Sequence, residues 1–256
     1  MSDSVSLLAL DFDGVVCDGL IEYFATTQRA YRQIWGTEAD DSLAEAFYRL
    51  RPVIETGWEM PILLRALVLG KSETEIINRF SAIALEITQQ ENLVKQAVVD
   101  CLDGVRDRWI EQNLSEWLDL HRFYPGVIER LHQILASGTM LYIVTTKEGR
   151  FVKQLLAKQG LELPAEQIVG KESKRPKYET LRILRSRHQM PDRVLQITFI
   201  EDRLKALQQV AQQPDLSSVR LLLADWGYNL ESDRQIAASD RRIDLLSLEH
   251  FQKLGC

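Results

Sequence analysis

The sequence predicts an α/β protein: a doubly wound parallel sheet, interrupted early by an all-helical insertion. Three observations predict it. Unbroken aliphatic runs recur at Leu7–Leu10, Met140–Thr145, Leu195–Asp202 and Val219–Asp225. Helix-like patterns separate the last three runs, and the stretch between the first two carries helical periodicity with no strong strand run. Strand and helix in alternation imply right-handed crossovers and a parallel sheet with helices on both faces.

Each element follows from its residues. "LLAL" at Leu7–Leu10 has no polar alternation, the pattern of a strand covered on both faces. From Leu20 to His121 apolar residues fall at helical spacing, as at Ile62, Leu63, Ala66 and Leu67, then Ile76, Ile77, Phe80, Ile83, Ala84 and Ile87. "FYPGV", Phe123–Val127, closes this insertion with a Pro-Gly turn before a helix over Val127–Ala136, which ends near Gly138 and feeds the second strand. Further helices are expected around Gly149–Gln159, Tyr178–Arg187 and Leu204–Gln212. The expected organisation is an α/β core over 1–19 and 122–256 and a helical domain over 20–121.

Composition narrows the function classes. Apolar residues make up 45% and charged residues 27%, as in an ordinary globular chain. The net charge of -6 comes without a concentrated basic face, which argues against general nucleic-acid binding. No apolar stretch approaches the roughly 20 residues of a membrane helix, and the polar N-terminus lacks the basic start of a secretory signal. Cys17, Cys101 and Cys256 form no C-x-x-C pair and cannot all be matched in disulfides. A cytoplasmic protein is expected. The four histidines are isolated and lack zinc-ligand spacing. Oligomeric state leaves no mark in the sequence.

In an open parallel sheet the ligand site lies beyond the carboxyl ends of the strands, and Asp11, Thr145, Glu201 and Asp202 all stand at such ends. "DFDG" puts Asp11 and Asp13 on one side of an extended backbone, where two carboxylates repel and call for a cation. A hard divalent ion such as Mg²⁺ answers that need, because it takes oxygen ligands and retains water. The competing reading of the same four residues is a turn at a strand end, since Asp and Gly both favour turns.

Four segments in order, "LLALDFDGVV", "LYIVTTK", "SKRPKYETL" and "ITFIEDRLKAL", resemble the haloacid dehalogenase-like superfamily of hydrolases, in particular its phosphatase branch with a helical cap after the first motif. The resemblance implies a Rossmann-like core and Mg²⁺-dependent hydrolysis of a small phosphate monoester, a phosphorylated metabolite, through an aspartyl phosphate. It implies Asp11 as nucleophile and Asp13 as general acid and base, an acid that the dehalogenase members lack. Thr145 would bind a phosphate oxygen and a lysine would neutralise charge. Thr146 and Gly14 would serve as further substrate contacts. The Asp11 carboxylate, the Asp13 carbonyl and Asp202 would hold Mg²⁺, with Glu201 contributing directly or through water. Sugar phosphomutases share these motifs, and a non-catalytic binding protein could retain the scaffold.

Several assignments stay open in the sequence. Lys174 and Lys177 both fit the third motif, with Lys177 favoured because it precedes a helix whose first amides suit an anion. Relatives often carry one more acid after the fourth strand, where this chain has Lys205 and Ala206, and Asp202 could instead be a helix cap. Asp18 reads as a hinge or cap residue. In "RPVIETGWEM" Arg51 could read a second anionic group, or the segment could simply join two helices. "LADWGYN", Leu223–Asn229, could line the pocket edge, with packing of Trp226 and Tyr228 beneath the following loop the favoured reading.

Overall fold

A computed structural model describes residues 4–254; Met1–Asp3 and Gly255–Cys256, and with them the pairing of Cys256, lie outside the described residues. The chain divides into two units, Met1–Asp18 with Arg122–Cys256, and Gly19–His121. The first contains strand β1 (Ser4–Leu10) and the two-residue β2 (Cys17–Asp18). The second contains helices α1 (Leu20–Trp35), α2 (Ala44–Leu50), α3 (Glu59–Val68), α4 (Glu73–Gln90) and α5 (Lys95–Leu118). The first unit resumes with β3 (Arg122–Phe123), α6 (Val127–Ala136), β4 (Met140–Val144), α7 (Gly149–Lys158) and β5 (Ile168–Val169). It continues through α8 (Lys177–His188), β6 (Val194–Glu201), α9 (Leu204–Ala211) and β7 (Arg220–Ala224), and ends with α10 (Glu231–Ser239), β8 (Ile243–Leu246) and α11 (Leu248–Gln252).

The sheet is six-stranded and parallel, in the order β5-β4-β1-β6-β7-β8, as the unbroken aliphatic runs predict. On one face Leu7 and Ala9 of β1 join Tyr142, Val144, Phe199, Leu221 and Leu223, together with Leu181, Leu184, Leu204 and Leu207 from α8 and α9. Leu8 and Leu10 alternate to the other face and are buried as well. A strand clamped on both faces is a stiff support. Its register aligns Leu10 with Ile143 on β4 and with Ile200 on β6, so Asp11, Thr145 and Glu201 emerge at adjacent tips. After β1 the chain turns sharply, with the Val16 and Cys17 amides both donating to the Phe12 carbonyl, and β2 pairs with β3 in a separate antiparallel ribbon.

Within the helical unit the predicted stripes are buried: Ile62, Leu63, Ala66 and Leu67 on α3, and Ile76, Phe80, Ile83, Ala84 and Ile87 on α4. Ile77 is the exception; one residue further around the helix than Ile76, it is exposed. Ser72 caps α4 by accepting from the Glu75 amide at 3.2 Å. Inside α5, Asn113 breaks the helical dihedrals (φ -154°, ψ 74°) and its Oδ1 accepts from the Glu116 amide, restarting the last turns.

A buried carboxylate links α1 and α5. Glu22 is fully buried, and its Oε1 accepts from Thr26 Oγ1 at 2.6 Å, Arg106 Nε at 2.9 Å and Trp117 Nε1 at 3.0 Å. Breaking such a pair leaves the surviving charge without its partner. Because the Arg106 side chain is 22% exposed and can draw some hydration, Glu22→Ala is expected to destabilise the protein by about 2–3 kcal/mol, at or below the lower end of the penalty for a fully buried pair. Urea unfolding followed by tryptophan fluorescence reads this directly; a change within about 0.5 kcal/mol would contradict it.

Candidate active site

Two strand ends deliver three acids to one place. Carboxylate oxygens of Asp11, Glu201 and Asp202 lie within 4.8 Å of one another, and all three residues are buried. The Asp11 amide donates to the Ile200 carbonyl at 2.9 Å, so the sheet ladder carries the first acid to the tip of β6, where the other two stand. Lys177, the first residue of α8, enters the same group. Its Nζ is 2.9 Å from Asp11 Oδ2 and 2.5 Å from Glu201 Oε2.

Of the two candidate lysines, it is Lys177 that the fold brings to the acids. Pro176 holds φ at -67° at the helix entrance, and Lys177 points its ammonium between two carboxylates, whereas Lys174 is exposed in a left-handed turn (φ 52°). Glu201 is the closer partner of that ammonium, and its Oε1 also accepts from the Arg203 amide at 3.1 Å. It is thus held by hydrogen bonds as well as by charge.

Asp202 does not cap α9. The cap position is Arg203, and it makes no side-chain capping bond. Asp202 is instead held by the loop after β7: the Tyr228 amide donates to its Oδ2 at 2.8 Å, and Asn229 Nδ2 donates to its carbonyl at 3.1 Å and to the Ala224 carbonyl at 2.8 Å. Tyr228 also donates its hydroxyl to Asp18 Oδ1 at 2.9 Å, and Trp226 Nε1 donates to the Val15 carbonyl at 3.2 Å. Tyr228 is buried, but its amide and hydroxyl serve the site and the β2 turn. Packing, as expected for Trp226 and Tyr228, is thus joined by these polar roles. Asp18 does not cap α1, whose cap is Gly19; it lies in β2, where Tyr228 anchors its carboxylate.

Two glycines make this close packing possible. Gly14 (φ 85°) faces Asp202 so nearly that a Cβ would lie 2.3 Å from its Oδ2; at Gly227 a Cβ would lie 2.3 Å from the Asp202 Cβ and 2.4 Å from the Gly14 carbonyl. The Gly14 amide donates to the Cys17 carbonyl at 2.8 Å. Its amide is thus engaged within the turn, and its place beside Asp202 is set by its lack of a side chain.

Around this centre, the Thr145 amide continues the β4–β5 ladder by donating to Val169, while its Oγ1 accepts from the Lys147 amide at 3.2 Å. Thr146 is exposed on the same loop. Asp13 is partly buried, and its carboxylate receives Lys147 Nζ at 3.2 Å and 3.4 Å. Lys147 went unassigned in the sequence although it sits two residues after Thr145. Arg51 belongs to the helical unit, where its Nη1 donates to the Ile54 carbonyl at 3.1 Å and its guanidinium lies over the Tyr23 ring. In the same segment Glu59 Oε2 accepts from the Glu55 and Thr56 amides, closing the loop before α3.

Electrostatics at the centre are unbalanced. Burial, reinforced by repulsion from Glu201 and partly offset by Lys177, pushes the Asp11 carboxyl up to about 7. Burial likewise raises Glu201 to about 7 against the pull of Lys177, and burial with repulsion from Asp11 raises Asp202. Three carboxylates therefore face one central ammonium. A hard divalent cation fits this donor set in charge, in ligand type and in the closeness of the oxygens.

The family model of the haloacid dehalogenase-like hydrolases matches residues 62–213, more than half of the chain; Thr145, Lys177, Glu201 and Asp202 lie inside the match, and Asp11 precedes it. No curated protein matches the sequence significantly. Solved structures share the fold at low identity. A predicted phosphoglycolate phosphatase from Haemophilus somnus 129PT is 16% identical with a TM-score of 0.62, over 99% of each chain. A provisionally named phosphatase from Clostridium difficile is 11% identical with a TM-score of 0.64, over 98% of this chain and 99% of that one. A provisionally named β-phosphoglucomutase from Thermotoga maritima is 16% identical with a TM-score of 0.54, over 98% of each chain.

The raised carboxyls carry a sign that can be measured. An acid whose pKa is raised on folding contributes stability below its unfolded value, near 4, and loses it as pH rises through the folded value, about 7 for Asp11 and Glu201. A bound cation removes that penalty. Mg²⁺ is therefore expected to raise the melting temperature several degrees more at pH 8 than at pH 5 in differential scanning fluorimetry. An equal shift at both pH values, or none at pH 8, would contradict the site.

Proposed function

The chain belongs to the haloacid dehalogenase-like hydrolases, and from that premise we propose that it is a cytoplasmic, Mg²⁺-dependent phosphatase that hydrolyses a small phosphate monoester through an aspartyl phosphate at Asp11. One observation carries the reading: Lys177 Nζ lies 2.9 Å from Asp11 Oδ2, with Glu201 and Asp202 gathered against the same carboxylate. An acid buried this way makes a poor nucleophile while protonated. Lys177 and a cation together favour the carboxylate and offset the charge of an incoming phosphate.

The steps follow from the residues. An oxygen of Asp11 attacks phosphorus as the bond to the leaving oxygen breaks, and Asp13 gives that oxygen a proton. Asp13, now a carboxylate, takes a proton from water, which attacks the aspartyl phosphate and frees inorganic phosphate and Asp11. Thr145 and Lys177 bind the nonbridging oxygens. Asp11, Asp202 and the Asp13 carbonyl would hold Mg²⁺, with Glu201 orienting Lys177 beside them. Bound there, the ion supplies charge stabilisation for the phosphoryl group.

The missing further acid after β6 would favour a non-catalytic protein only if Asp202 were loosely held. Tyr228 and Asn229 fix it instead. Cys17 is buried and unpaired, its thiol pushed up by burial, and Cys101 is also a free thiol, which suits a reducing compartment. Among the described residues no helix is long and apolar enough to cross a membrane.

A panel of phosphorylated metabolites assayed with and without Mg²⁺ is expected to show release of inorganic phosphate that EDTA abolishes and Mg²⁺ restores. Transfer to a second site on the same sugar, without free phosphate, would instead identify a phosphomutase. Asp11→Asn should lower turnover of p-nitrophenyl phosphate by at least about 10³-fold, and Lys177→Met by about 10²-fold or more, with both variants folded by circular dichroism. Near wild-type turnover in Asp11→Asn would refute the assignment.

A further inference from the structure

Building on the phosphatase reading, we infer that Lys147 is a positioning residue that fixes the Asp13 carboxylate for proton transfer to the leaving oxygen. The site contains two partly buried lysines, and they divide the acids between them. Lys177 engages Asp11 and Glu201. Lys147 engages Asp13, reaching both carboxylate oxygens at 3.2 Å and 3.4 Å, with the two side chains only 9% and 16% exposed.

The geometry is that of a clamp. An ammonium within reach of both oxygens attracts both, which favours the side-chain orientation that keeps the carboxylate facing it. Lys147 can impose this because its own backbone is fixed on both sides: its amide donates to Thr145 Oγ1 at 3.2 Å and its carbonyl accepts from the Lys171 amide at 2.9 Å. Two residues later α7 begins at Gly149, whose amide donates to Glu172 Oε2. The ammonium thus projects from an anchored loop. Asp13, by contrast, lies in the sharp turn after β1, followed by Gly14 in a left-handed conformation, and without a partner its side chain would sample several rotamers.

The chemistry gives the clamp a distinct signature. As the phosphorus–oxygen bond breaks, its electron pair passes to the leaving oxygen, the Asp13 proton moves to that oxygen, and Asp13 is left as a carboxylate facing Lys147. An alkoxide leaving group needs that proton to depart. A p-nitrophenolate departs nearly as well without it. A group that orients Asp13 therefore affects alkyl esters more than p-nitrophenyl phosphate, whereas a group that only binds the phosphate affects both alike.

The test compares kcat/KM, which covers bond cleavage, for p-nitrophenyl phosphate and for the best alkyl phosphate from the metabolite panel. In Lys147→Met the alkyl ester is expected to lose about 10-fold to 100-fold more than p-nitrophenyl phosphate, and Lys147→Arg should recover part of that difference. A matching thermal melt for both variants excludes a folding defect; if Lys147→Met melts early, the Lys147→Arg and Lys147→Gln pair carries the comparison. Equal losses on both substrates, a rise in KM alone, or an unchanged or inverted ratio would overturn the inference while leaving the phosphatase reading intact. Failure of the wild-type protein to release phosphate from any substrate would overturn that reading itself.

Discussion

The site depends on placing three carboxylates at the tips of two buried strands with one ammonium among them. Burying charge is expensive, and Asp11, Glu201 and Asp202 are each held by named partners. Lys177 lies between two of them, and a backbone amide with an Asn side chain holds the third. The remaining imbalance is an excess of negative charge, which favours a cation; an anionic substrate adds to that excess and needs the cation beside it.

The sheet supplies the rigidity that such an arrangement demands. Leu7 to Leu10 are buried on both faces of the sheet, so β1 cannot shift its tip without disturbing both layers of side chains. Gly14 and Gly227 then let two loops close on Asp202 at distances that no side chain would allow. Stability and function meet here. The same apolar strands that hold the core together set the positions of the polar groups.

Much of this was legible in the sequence, for physical reasons that also mark the limits. The doubly wound sheet could be read because strands buried on both faces lose their polar alternation and stand out as aliphatic runs. The edge strands did not stand out: Ile168–Val169 has only two residues, and Ile243–Leu246 carries Asp244 on a half-exposed edge. The acids at the strand tips and the lysine that opens α8 were recognisable by type and order. Tyr228 was not, because it acts on Asp202 through a backbone amide, and a main-chain donor leaves no trace in residue identity. Lys147 did leave a trace in "TTK", but its partner 134 positions earlier becomes evident only once β1 and β4 are paired.

The proposal that Asp11 receives the phosphoryl group can be tested most directly by trapping it. Wild-type protein mixed with a ³²P-labelled substrate and Mg²⁺, quenched in acid within milliseconds and digested, should yield hydroxylamine-labile label on the peptide that contains Asp11. Phosphate release with no protein-bound label, or label on a different peptide, would contradict the nucleophile and the site built around it.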